Sequence, residues 1–503
     1  MDGLLFEKES RNEGEHIARP GRGFAAAKFI PAKLRRKTPC GIPNLSELEV
    51  VRHFTHLSRK NFSVDTNFYP LGSCTMKYNP KVFDQIASWP FFARIHPYQD
   101  DAQVQGALRM FHETERSLCE ITGMDAFTLQ PAAGAHGELT GLLIVRAFHG
   151  AKKSRRSKVL IPDSAHGTNP ASAALCGYDV VQVKTNGEGR VDLEDLRLKL
   201  GPDTASFMIT NPNTLGLFET QIEEICRLVH ARGALVYYDG ANLNALLGIT
   251  RPGDMGFDIV HVNLHKTFAV PHGSGGPGSG PVGVKRRLEK FLPLPSLKKN
   301  SKGFSWHYDR TRSIGRVRSF YGNTGAILRA YCYIKTLGKE GLKAVSENAI
   351  LAANYLKTKL APHYDVPYEG ACMHEFIVSS RNLKERGVKA LDVAKRLLDF
   401  GIHAPTVYFP LIVEEAMMVE PTETEAKATL DRFVEVMAEI AREAQTHPEK
   451  LLEAPLTTPV RRINEVKAAR EPNVRWKKEA AGPSVIASRG GAAAKQSQRE
   501  IFL

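Results

Sequence analysis

Short apolar runs alternate with amphipathic stretches along the middle of the chain. The apolar runs are four to six residues long and rich in β-branched and other apolar side chains, which is typical of buried strands. The stretches between them space their apolar residues as a helix does. The predicted strands cover residues 127–130, 159–162, 206–210, 234–239 and 259–264, and the predicted helices cover 138–149, 192–200 and 222–232. This alternation predicts an α/β fold with a doubly wound, mostly parallel sheet.

Further patterns flank the predicted sheet. Ser46 and Glu49 have capping-box spacing, which predicts the start of a helix. Residues 104–122 have helical spacing that ends at Gly123. Residues 286–312 are basic and contain prolines, which predicts a surface loop. Later helices are predicted at 324–337, 347–360, 390–400 and 423–443, with a strand at 374–378.

The pattern divides the chain into four parts. Residues 1–99 are predicted to form an N-terminal arm with a helical segment, and residues 100–340 are predicted to form the large sheet domain. Residues 341–476 predict a smaller C-terminal α+β domain. Residues 477–503 are rich in Ala, Gly, Ser and Lys and predict a disordered basic tail.

Composition narrows the class of protein. The 503 residues are 42% hydrophobic and 24% charged, as in ordinary globular proteins. A run of about 18 apolar residues, the length a membrane helix needs, does not occur, and the N-terminus lacks a signal-peptide pattern. The seven cysteines are scattered, which predicts reduced thiols in a cytoplasmic protein and argues against a zinc site. We therefore expect no metal and no membrane partner.

The net charge of +14 raises the question of an acidic partner. Residues 461–503 hold ten Lys and Arg against four Glu, a net charge of 10 − 4 = +6. A basic surface can bind nucleic acid, but basic residues interleaved with aromatic ones, as single-strand binders have, do not occur. We expect a solvated basic tail and no nucleic-acid partner, with an acidic protein partner as a third interpretation.

The candidate chemistry begins with Lys266, which follows the apolar run 259–264 and precedes a glycine-rich segment. A lysine in such a place is poorly solvated, and desolvation disfavours its charged form, so the free amine becomes available as a nucleophile. A lone lysine beside a turn is more often simply exposed. Gly273–Gly278 formally matches the dinucleotide motif GxGxxG, but Pro277 and Pro281 break the helix that this motif needs.

Asp239 makes the nucleophilic interpretation of Lys266 stronger. It ends the apolar run 234–239, and the next predicted strand leads to Lys266. Pyridoxal phosphate enzymes use a lysine for a Schiff base and an acid against the pyridinium nitrogen of the cofactor. The two residues therefore predict pyridoxal 5′-phosphate as the cofactor.

Other polar residues also fall at the carboxyl ends of predicted strands, where ligands of such sheets bind. Thr210 ends one strand, and Asn213 or Thr214 just after it is a candidate to touch cofactor or substrate. The small-residue loop with Ala133, Gly134 and Ala135 precedes a predicted helix, so its N–H groups suit a phosphate; a tight turn explains it equally well. His166 follows another strand, where a structural histidine is the commoner case.

Several long motifs resemble one family, the C-terminal-half subunits (subunit 2) of the split P-proteins, the glycine decarboxylases of the glycine cleavage system. The resemblance covers residues 60–476. The motifs that carry it are Tyr69-Pro-Leu-Gly-Ser-Cys-Thr-Met-Lys77, Thr210-Asn-Pro-Asn-Thr-Leu-Gly-Leu-Phe-Glu219, Asp239-Gly-Ala-Asn-Leu-Asn244, Asn263-Leu-His-Lys-Thr-Phe268, Pro271-His-Gly-Ser-Gly-Gly-Pro-Gly278 and Arg316-Val-Arg-Ser-Phe-Tyr-Gly322.

The resemblance implies a fold type I (aspartate aminotransferase-like) pyridoxal phosphate enzyme. It implies that His166 stacks on the cofactor ring, and that Asn263, His265 and the 133–135 loop lie near the phosphate. It also implies a reaction in which glycine loses CO2 and its aminomethyl group passes to the lipoyl arm of the H-protein.

Single-chain relatives are about twice this length, so the resemblance implies a second, N-terminal-half subunit (subunit 1) and a heterotetramer of two pairs. Two alternatives remain at this point: another fold type I enzyme such as a cysteine desulfurase-like protein, and a regulatory or nucleic-acid-binding subunit without cofactor.

Overall fold

The large sheet has seven strands, and most of them are parallel. The computed structural model describes residues 4–8, 29–37, 43, 45–273 and 278–472. The strands are β1 (Ala126–Thr128), β2 (Lys158–Pro162), β3 (Asp179–Val183), β4 (Thr204–Thr210), β5 (Leu235–Gly240), β6 (Ile259–Val262) and β7 (Val282–Val284). Their order is β1-β7-β6-β5-β4-β2-β3, and β7 alone among these seven runs antiparallel to its neighbours. The α/β class with a doubly wound, mostly parallel sheet is therefore confirmed, with one reversed strand.

Helices cover both faces of this sheet and continue into the C-terminal region. They are α1 (Glu47–Ser58), α2 (Lys81–Ser88), α3 (Pro90–Ala93), α4 (Gln105–Thr122), α5 (Gly134–Ala151), α6 (Thr168–Leu175), α7 (Leu193–Lys199), α8 (Ile222–Ala231), α9 (Thr324–Leu360), α10 (Ala390–Asp399), α11 (Lys427–Thr446), α12 (Pro448–Glu453) and α13 (Glu465–Arg470). Because both faces are covered, the central strands β4, β5 and β6 are buried along their whole length. All seven residues of β4 are buried.

Two smaller sheets complete the described chain. The hairpin β8 (Ser296–Asn300) and β9 (Gly303–His307) lies where the sequence predicted a surface loop, so that prediction was wrong in part. Its side chains are partly buried or exposed, and the turn-rich, basic sequence concealed it. The C-terminal sheet contains β10 (Phe376–Ser379), β11 (Thr406–Val407) and β12 (Ala416–Val419), in the antiparallel order β10-β12-β11.

Element ends follow the local chemistry that the sequence displayed. Ser46 caps α1, with the reciprocal hydrogen bonds to Glu49 that the capping box predicts. Gly123 ends α4 in the left-handed conformation, with φ of 72°. Asp192 caps α7 through two backbone N–H groups. The predictions for Ser46 and Gly123 are therefore confirmed.

Two long helices differ from their prediction. Helix α5 begins at Gly134, four residues before the predicted start at residue 138, because small residues gave no periodicity to read there. Helix α9 joins two predicted helices across a kink at Gly338, so the predicted domain boundary at 340/341 falls inside it. The predicted tail, residues 477–503, lies outside the described residues. Within the part of the chain that the structure describes, no helix is both long and apolar enough to span a bilayer.

Candidate active site

Asp239 lies near the end of β5, at the carboxyl edge of the sheet, and is 2% exposed. Asn169 of α6 donates an amide N–H to its Oδ2 at 2.9 Å, and the backbone N–H of Ala241 donates to its Oδ1 at 3.0 Å. Thr210, at the end of the adjacent strand β4, lies with its hydroxyl 3.3 Å from the same Oδ2. Burial raises the pKa of Asp239, but His261, Asn169 and other partners outweigh burial and lower the pKa below its ordinary value. The carboxylate therefore keeps its charge although it is buried.

His261 connects Asp239 to a second buried group. Its Nε2 lies 3.2 Å from Oδ1 of Asp239, and its Nδ1 lies 3.0 Å from the hydroxyl of Tyr237. Strand register sets this arrangement, since Asp239 and His261 are paired across β5 and β6. Burial lowers the pKa of His261, so the neutral ring acts as a hydrogen-bond partner that orients the carboxylate.

Glu138 of α5 is a second acid close to Asp239. The hydroxyls of Thr168 and Ser172 donate to its two oxygens at 2.8 and 2.9 Å. Burial, together with the negative charge of Asp239, raises the pKa of Glu138 to about 7. One of the two neighbouring acids thus holds its charge while the other holds a proton near neutral pH.

Lys266 lies in the turn that follows β6. Its backbone N–H donates to the carbonyl of Asn263 at 3.0 Å, which closes the turn. Its amine interacts electrostatically with Asp239 on one side, and with Glu375 and Glu420 on the other. Because β5 and β6 are parallel neighbours, Asp239 and Lys266 emerge at the same sheet edge.

The N-terminus of α5 lies at this edge and has no side-chain cap. Ala133, the residue before the helix, is extended, and its side chain has no polar group with which to cap the first turn. The first N–H groups of the 18-residue helix, those of Gly134 and Ala135 among them, therefore point at a place suited to an anion. Burial, followed by the charge of Arg318, lowers the pKa of His136 in the same turn, so an arginine lies close by.

Asn263 and His265 lie beside this helix end. A Cβ at Gly134 would come within 2.5 Å of Oδ1 of Asn263, so a larger residue there would have to displace the Asn263 side chain. His265 accepts a hydrogen bond from the N–H of Ser279 at 3.3 Å. Burial, with the charges of His272 and Lys266, lowers the pKa of His265 to about 3, so its ring is neutral.

His166 and Asn213 have different surroundings. His166 is half-buried, and its Nδ1 lies 3.1 Å from the hydroxyl of Thr168. Burial and the charge of Lys266 lower its pKa, which leaves a neutral flat ring facing the site. The side chain of Asn213 donates to the carbonyl of Gly189 and accepts from the N–H groups of Leu215 and Leu217, so its hydrogen bonds hold its own loop.

A second group of buried acids faces Lys266 from the C-terminal sheet. Glu375 and Glu420 are 0% exposed. Glu375 accepts the N–H of Ser73 at 2.7 Å, and Glu420 accepts the N–H and hydroxyl of Thr75 at 2.9 and 2.6 Å. The two acids therefore bind the segment 70–77, which we call the cover loop.

Lys77, at the end of the cover loop, connects three parts of the chain. It forms an ion pair with Glu423 at 2.7 Å and donates to Asn244 at 2.6 Å. It also donates to the carbonyl of Thr267 at 3.0 Å, one residue beyond Lys266. The cover loop thus fastens the C-terminal sheet to the turn that carries Lys266.

The sequence reasoning missed His261, Glu138, Lys77 and the pair Glu375 and Glu420. A histidine inside an apolar strand was a visible signal for His261. Glu138 was visible as the first charged residue of a helix otherwise poor in charge. Lys77 belongs to a loop motif, but its three partners are distant in sequence, and so are those of Glu375 and Glu420.

Comparisons with known proteins agree over most of the chain. The family model described as "Glycine cleavage system P-protein" matches residues 24–295, and the one described as "Glycine dehydrogenase, C-terminal domain" matches residues 345–456. A protein of Caldanaerobacter subterraneus named "Probable glycine dehydrogenase (decarboxylating) subunit 2" is 58% identical over 90% of this chain and 93% of its own. A protein of the same name from Desulforamulus reducens is 59% identical over 89% and 93%.

Solved structures share the fold at lower identity. An inhibitor-bound glycine decarboxylase (P-protein) of the glycine cleavage system superposes with a TM-score of 0.67 at 21% identity, over 82% of this chain and 94% of the other. A cysteine desulfurase from Thermococcus onnurineus superposes with a TM-score of 0.58 at 14% identity, over 75% and 95%.

Proposed function

This chain belongs to the glycine cleavage system P-protein family, and on that premise we propose that Lys266, Asp239 and His166 carry its glycine decarboxylation. The chain is a glycine dehydrogenase (decarboxylating), and its cofactor is pyridoxal 5′-phosphate. It releases CO2 from glycine and transfers the remaining aminomethyl group to the lipoyl arm of the H-protein.

The residues at the sheet edge fit this cofactor. The uncapped N-terminus of α5 suits the phosphate, and buried polar atoms around it lack partners within the described chain. These atoms are Oδ1 of Asn263, Oγ1 of Thr267, Oγ of Ser279 and Nη1 of Arg318. We assign phosphate binding to the backbone of Ala133, Gly134 and Ala135, with Asn263 and His265 beside them.

Each catalytic side chain has a role that its surroundings support. Bound pyridoxal phosphate supplies an electron sink for the carbon that loses CO2. The amine of Lys266 would hold the cofactor covalently. The Asp239 carboxylate, fixed by Asn169 and His261, holds a proton at the ring nitrogen of the cofactor. The neutral ring of His166 would pack against the cofactor ring.

Thr210 and Asn213 complete the proposed cofactor-binding set. Thr210 contacts the same carboxylate oxygen as Asn169, so its hydroxyl helps to fix Asp239. Asn213 orders the loop after β4 and acts through that loop.

One observation carries the proposal: Asp239 and Lys266 emerge from adjacent parallel strands at the same sheet edge. The test is a visible absorbance spectrum of the purified chain with pyridoxal phosphate, before and after addition of glycine. We expect a band that changes on addition of glycine and stays the same on addition of alanine. A chain that binds the cofactor but shows the same response to both amino acids would contradict glycine as the substrate.

The cysteine desulfurase alternative is not favoured. Such an enzyme needs a reactive cysteine near the lysine, and Cys74 is the candidate. Burial, against the opposing effect of Lys266, raises the pKa of Cys74 to about 11, so its thiol is protonated and weakly nucleophilic. The likeness to the solved desulfurase is therefore one of fold.

We propose an N-terminal-half subunit as the stable partner, in a heterotetramer of two pairs. Relatives of this chain carry the name "subunit 2", which supports a partner for this chain as well. Helix α1 supports a docking place, because Leu48, Val51 and Phe54 are each more than half exposed at three-residue spacing on it. We expect glycine-dependent exchange of labelled CO2 only after the two subunits are mixed; full exchange by this chain alone would refute the need for the partner.

A matched pair of variants tests the docking place. Val51→Asp and Phe54→Asp on α1 should abolish co-elution with the partner subunit during size-exclusion chromatography. Leu198→Asp on α7, where the leucine is 86% exposed, is the control and should leave co-elution intact. Loss of co-elution in all variants alike, or in none, would remove α1 from the interface.

We also propose a cytoplasmic location. The six cysteines within the described residues are all free thiols, as expected in a reducing compartment. Detection of the chain in a fractionated source cell would test this directly.

A further inference from the structure

The cover loop contains two residues in an unfavourable backbone conformation. Ser73 and Thr75 have φ values of 60° and 50°, a region that residues with side chains seldom adopt. Both are buried, and the N–H of each donates to one oxygen of Glu375 or Glu420. The two acids therefore hold the loop in a conformation that its own backbone disfavours.

Glu375 and Glu420 also lie close to each other. One oxygen from each, together with a ring nitrogen of His374, lies within 4.8 Å of the others. His374 is 0% exposed, and neither of its ring nitrogens has a hydrogen-bond partner within the described chain. Two full negative charges at this separation, both away from water, are strongly unfavourable.

The other titratable groups between Lys266 and the C-terminal sheet are either paired with an opposite charge or neutral. Lys77 is paired with Glu423 at 2.7 Å. Burial lowers the pKa of His374 to about 3 and also lowers that of His272, and burial raises that of Cys74. On the far side of Lys266, His166, His261 and His265 have lowered pKa values and the pKa of Glu138 is raised to about 7, which leaves Asp239 as the group that is fully charged. The charge that faces Lys266 from the C-terminal sheet is therefore that of Glu375 and Glu420.

We propose that Glu375 and Glu420 share one proton, and that this pair acts as a positioning element that faces Lys266 with a single negative charge while it fixes the cover loop. The proposal rests on Lys266 as the cofactor-binding residue. Burial, followed by the charge of Glu420, raises the pKa of Glu375 well above its ordinary value, and burial also raises that of Glu420. Glu375 is therefore the main holder of the proton, and Glu420 keeps its charge near Lys77 and Lys266.

If the two acids share one proton, single and double substitutions have different effects from those expected for two independent acids. If one acid is replaced by a neutral amide, the remaining acid no longer has a like-charged neighbour and ionises beside Lys266. The net charge of the pair then stays at minus one in Glu375→Gln and in Glu420→Gln. The double variant alone removes the charge.

Infrared difference spectroscopy of the holoenzyme at neutral pH tests this directly. We expect the carbonyl stretch of one carboxylic acid from this pair in the wild type, beside the bands of other protonated acids such as Glu115 and Glu138, and we expect the band of the pair to be lost in each single variant. Persistence of that band in both single variants would mean that burial protonates each acid by itself, and would overturn the proposal. A spectrum unchanged even in the double variant would mean that both acids are ionised, and would overturn it as well.

A second measurement follows the charge rather than the proton. The pH midpoint of the cofactor's visible absorbance should stay at its wild-type value in each single variant. In the double variant it should fall by about one unit, because a negative charge near the protonated nitrogen has been removed. If the pH midpoint shifts in each single variant and shifts twice as far in the double variant, the two acids carry independent charges and the proposal is wrong. A chain with no visible band at all would instead contradict the proposed function.

Glu115→Gln is the matched control. Glu115 lies on α4, and burial raises its pKa to about 8, so it is a protonated acid outside the site. The control should lose an acid band and keep the midpoint. If a Glu375 or Glu420 variant does not fold, the same substitutions are tested with Ser73→Gly and Thr75→Gly, because glycine adopts positive φ without the help of a carboxylate.

Discussion

Two buried carboxylates on opposite sides of Lys266 have opposite electrostatics. Asp239, on the large sheet, is 2% exposed and Glu375, beside the C-terminal sheet, is 0% exposed. Burial acts to raise the pKa of both, yet that of Asp239 ends below its ordinary value and that of Glu375 well above.

The partners of the two carboxylates explain the difference. Each carboxylate accepts an amide N–H, from Asn169 and Asn242 respectively, but Asp239 also lies against the ring of His261, whereas Glu375 lies beside a second acid, Glu420. Burial strengthens the electrostatic effect of the nearest neighbour on the pKa of a carboxylate. The neighbour, and not burial alone, therefore decides whether the carboxylate is charged. A site that has to stabilise a positive charge on one side and hold a proton on the other can use a buried carboxyl group for both tasks.

Removal of Lys266, which lies between the two regions, should have the largest effect. We expect Lys266→Ala to reduce glycine-dependent CO2 exchange by the mixed subunits by on the order of 10⁴-fold, and to abolish the visible band of this chain with pyridoxal phosphate. Lys357→Met is the control, since Lys357 is a buried lysine that donates to the carbonyls of residues 368 and 370 in the C-terminal region. A band that survives Lys266→Ala would show that another amine holds the cofactor.

The Asp239 side of the comparison should respond next most strongly. Asp239→Asn keeps the shape but removes the charge, and we expect exchange to fall by roughly 10²- to 10³-fold with folding preserved. Asp258→Asn is the matched control, because Asp258 is buried just before β6, at the opposite end of the strand. Equal losses in the two variants would indicate a general structural effect and would remove the special role of Asp239.

The sequence made one side of this comparison far easier to predict than the other. Asp239 and Lys266 stand at the ends of consecutive apolar runs, so strand topology alone brings them together. Glu375 and Glu420 meet the cover loop across about 300 residues of chain. Such contacts depend on how separate elements pack, which local periodicity does not encode.

The same reason explains the errors in secondary structure. Strands and helices with strong periodicity, such as β4 and α8, were found within two residues of their ends. The start of α5 was missed because Gly134 and Ala135 carry no pattern, although that segment lies at the proposed phosphate site. The hairpin of β8 and β9 was missed because it is held by contacts such as that of Gln105 with Phe304.

The close approach at Gly134 offers a smaller, sharper test. Gly134→Ala would place a Cβ within 2.5 Å of Asn263, so we expect affinity for pyridoxal phosphate to fall by about tenfold or more. Gly150→Ala is the control in the same helix, because a Cβ there meets nothing within 4 Å. The measurement is a titration of the apo form by absorbance. Equal affinities in the two variants would exclude a phosphate site at this helix end.

The smallest expected effect concerns Glu138, the acid that lies beside Asp239 but holds a proton. Its pKa is raised from 4.5 to about 7, so the folded chain binds this proton more tightly than the unfolded chain does. Between these values the folded state holds more protons, and the contribution of Glu138 to the free energy of unfolding falls as pH rises, then stays constant above about 7. The Glu138→Gln variant lacks this pH-dependent contribution to the free energy of unfolding. We therefore expect the difference in Tm, wild type minus variant, to decrease between about pH 5 and about pH 8. A difference that is constant or increases over this range would mean that Glu138 is already ionised, and that Asp239 and Glu138 do not divide charge and proton between them.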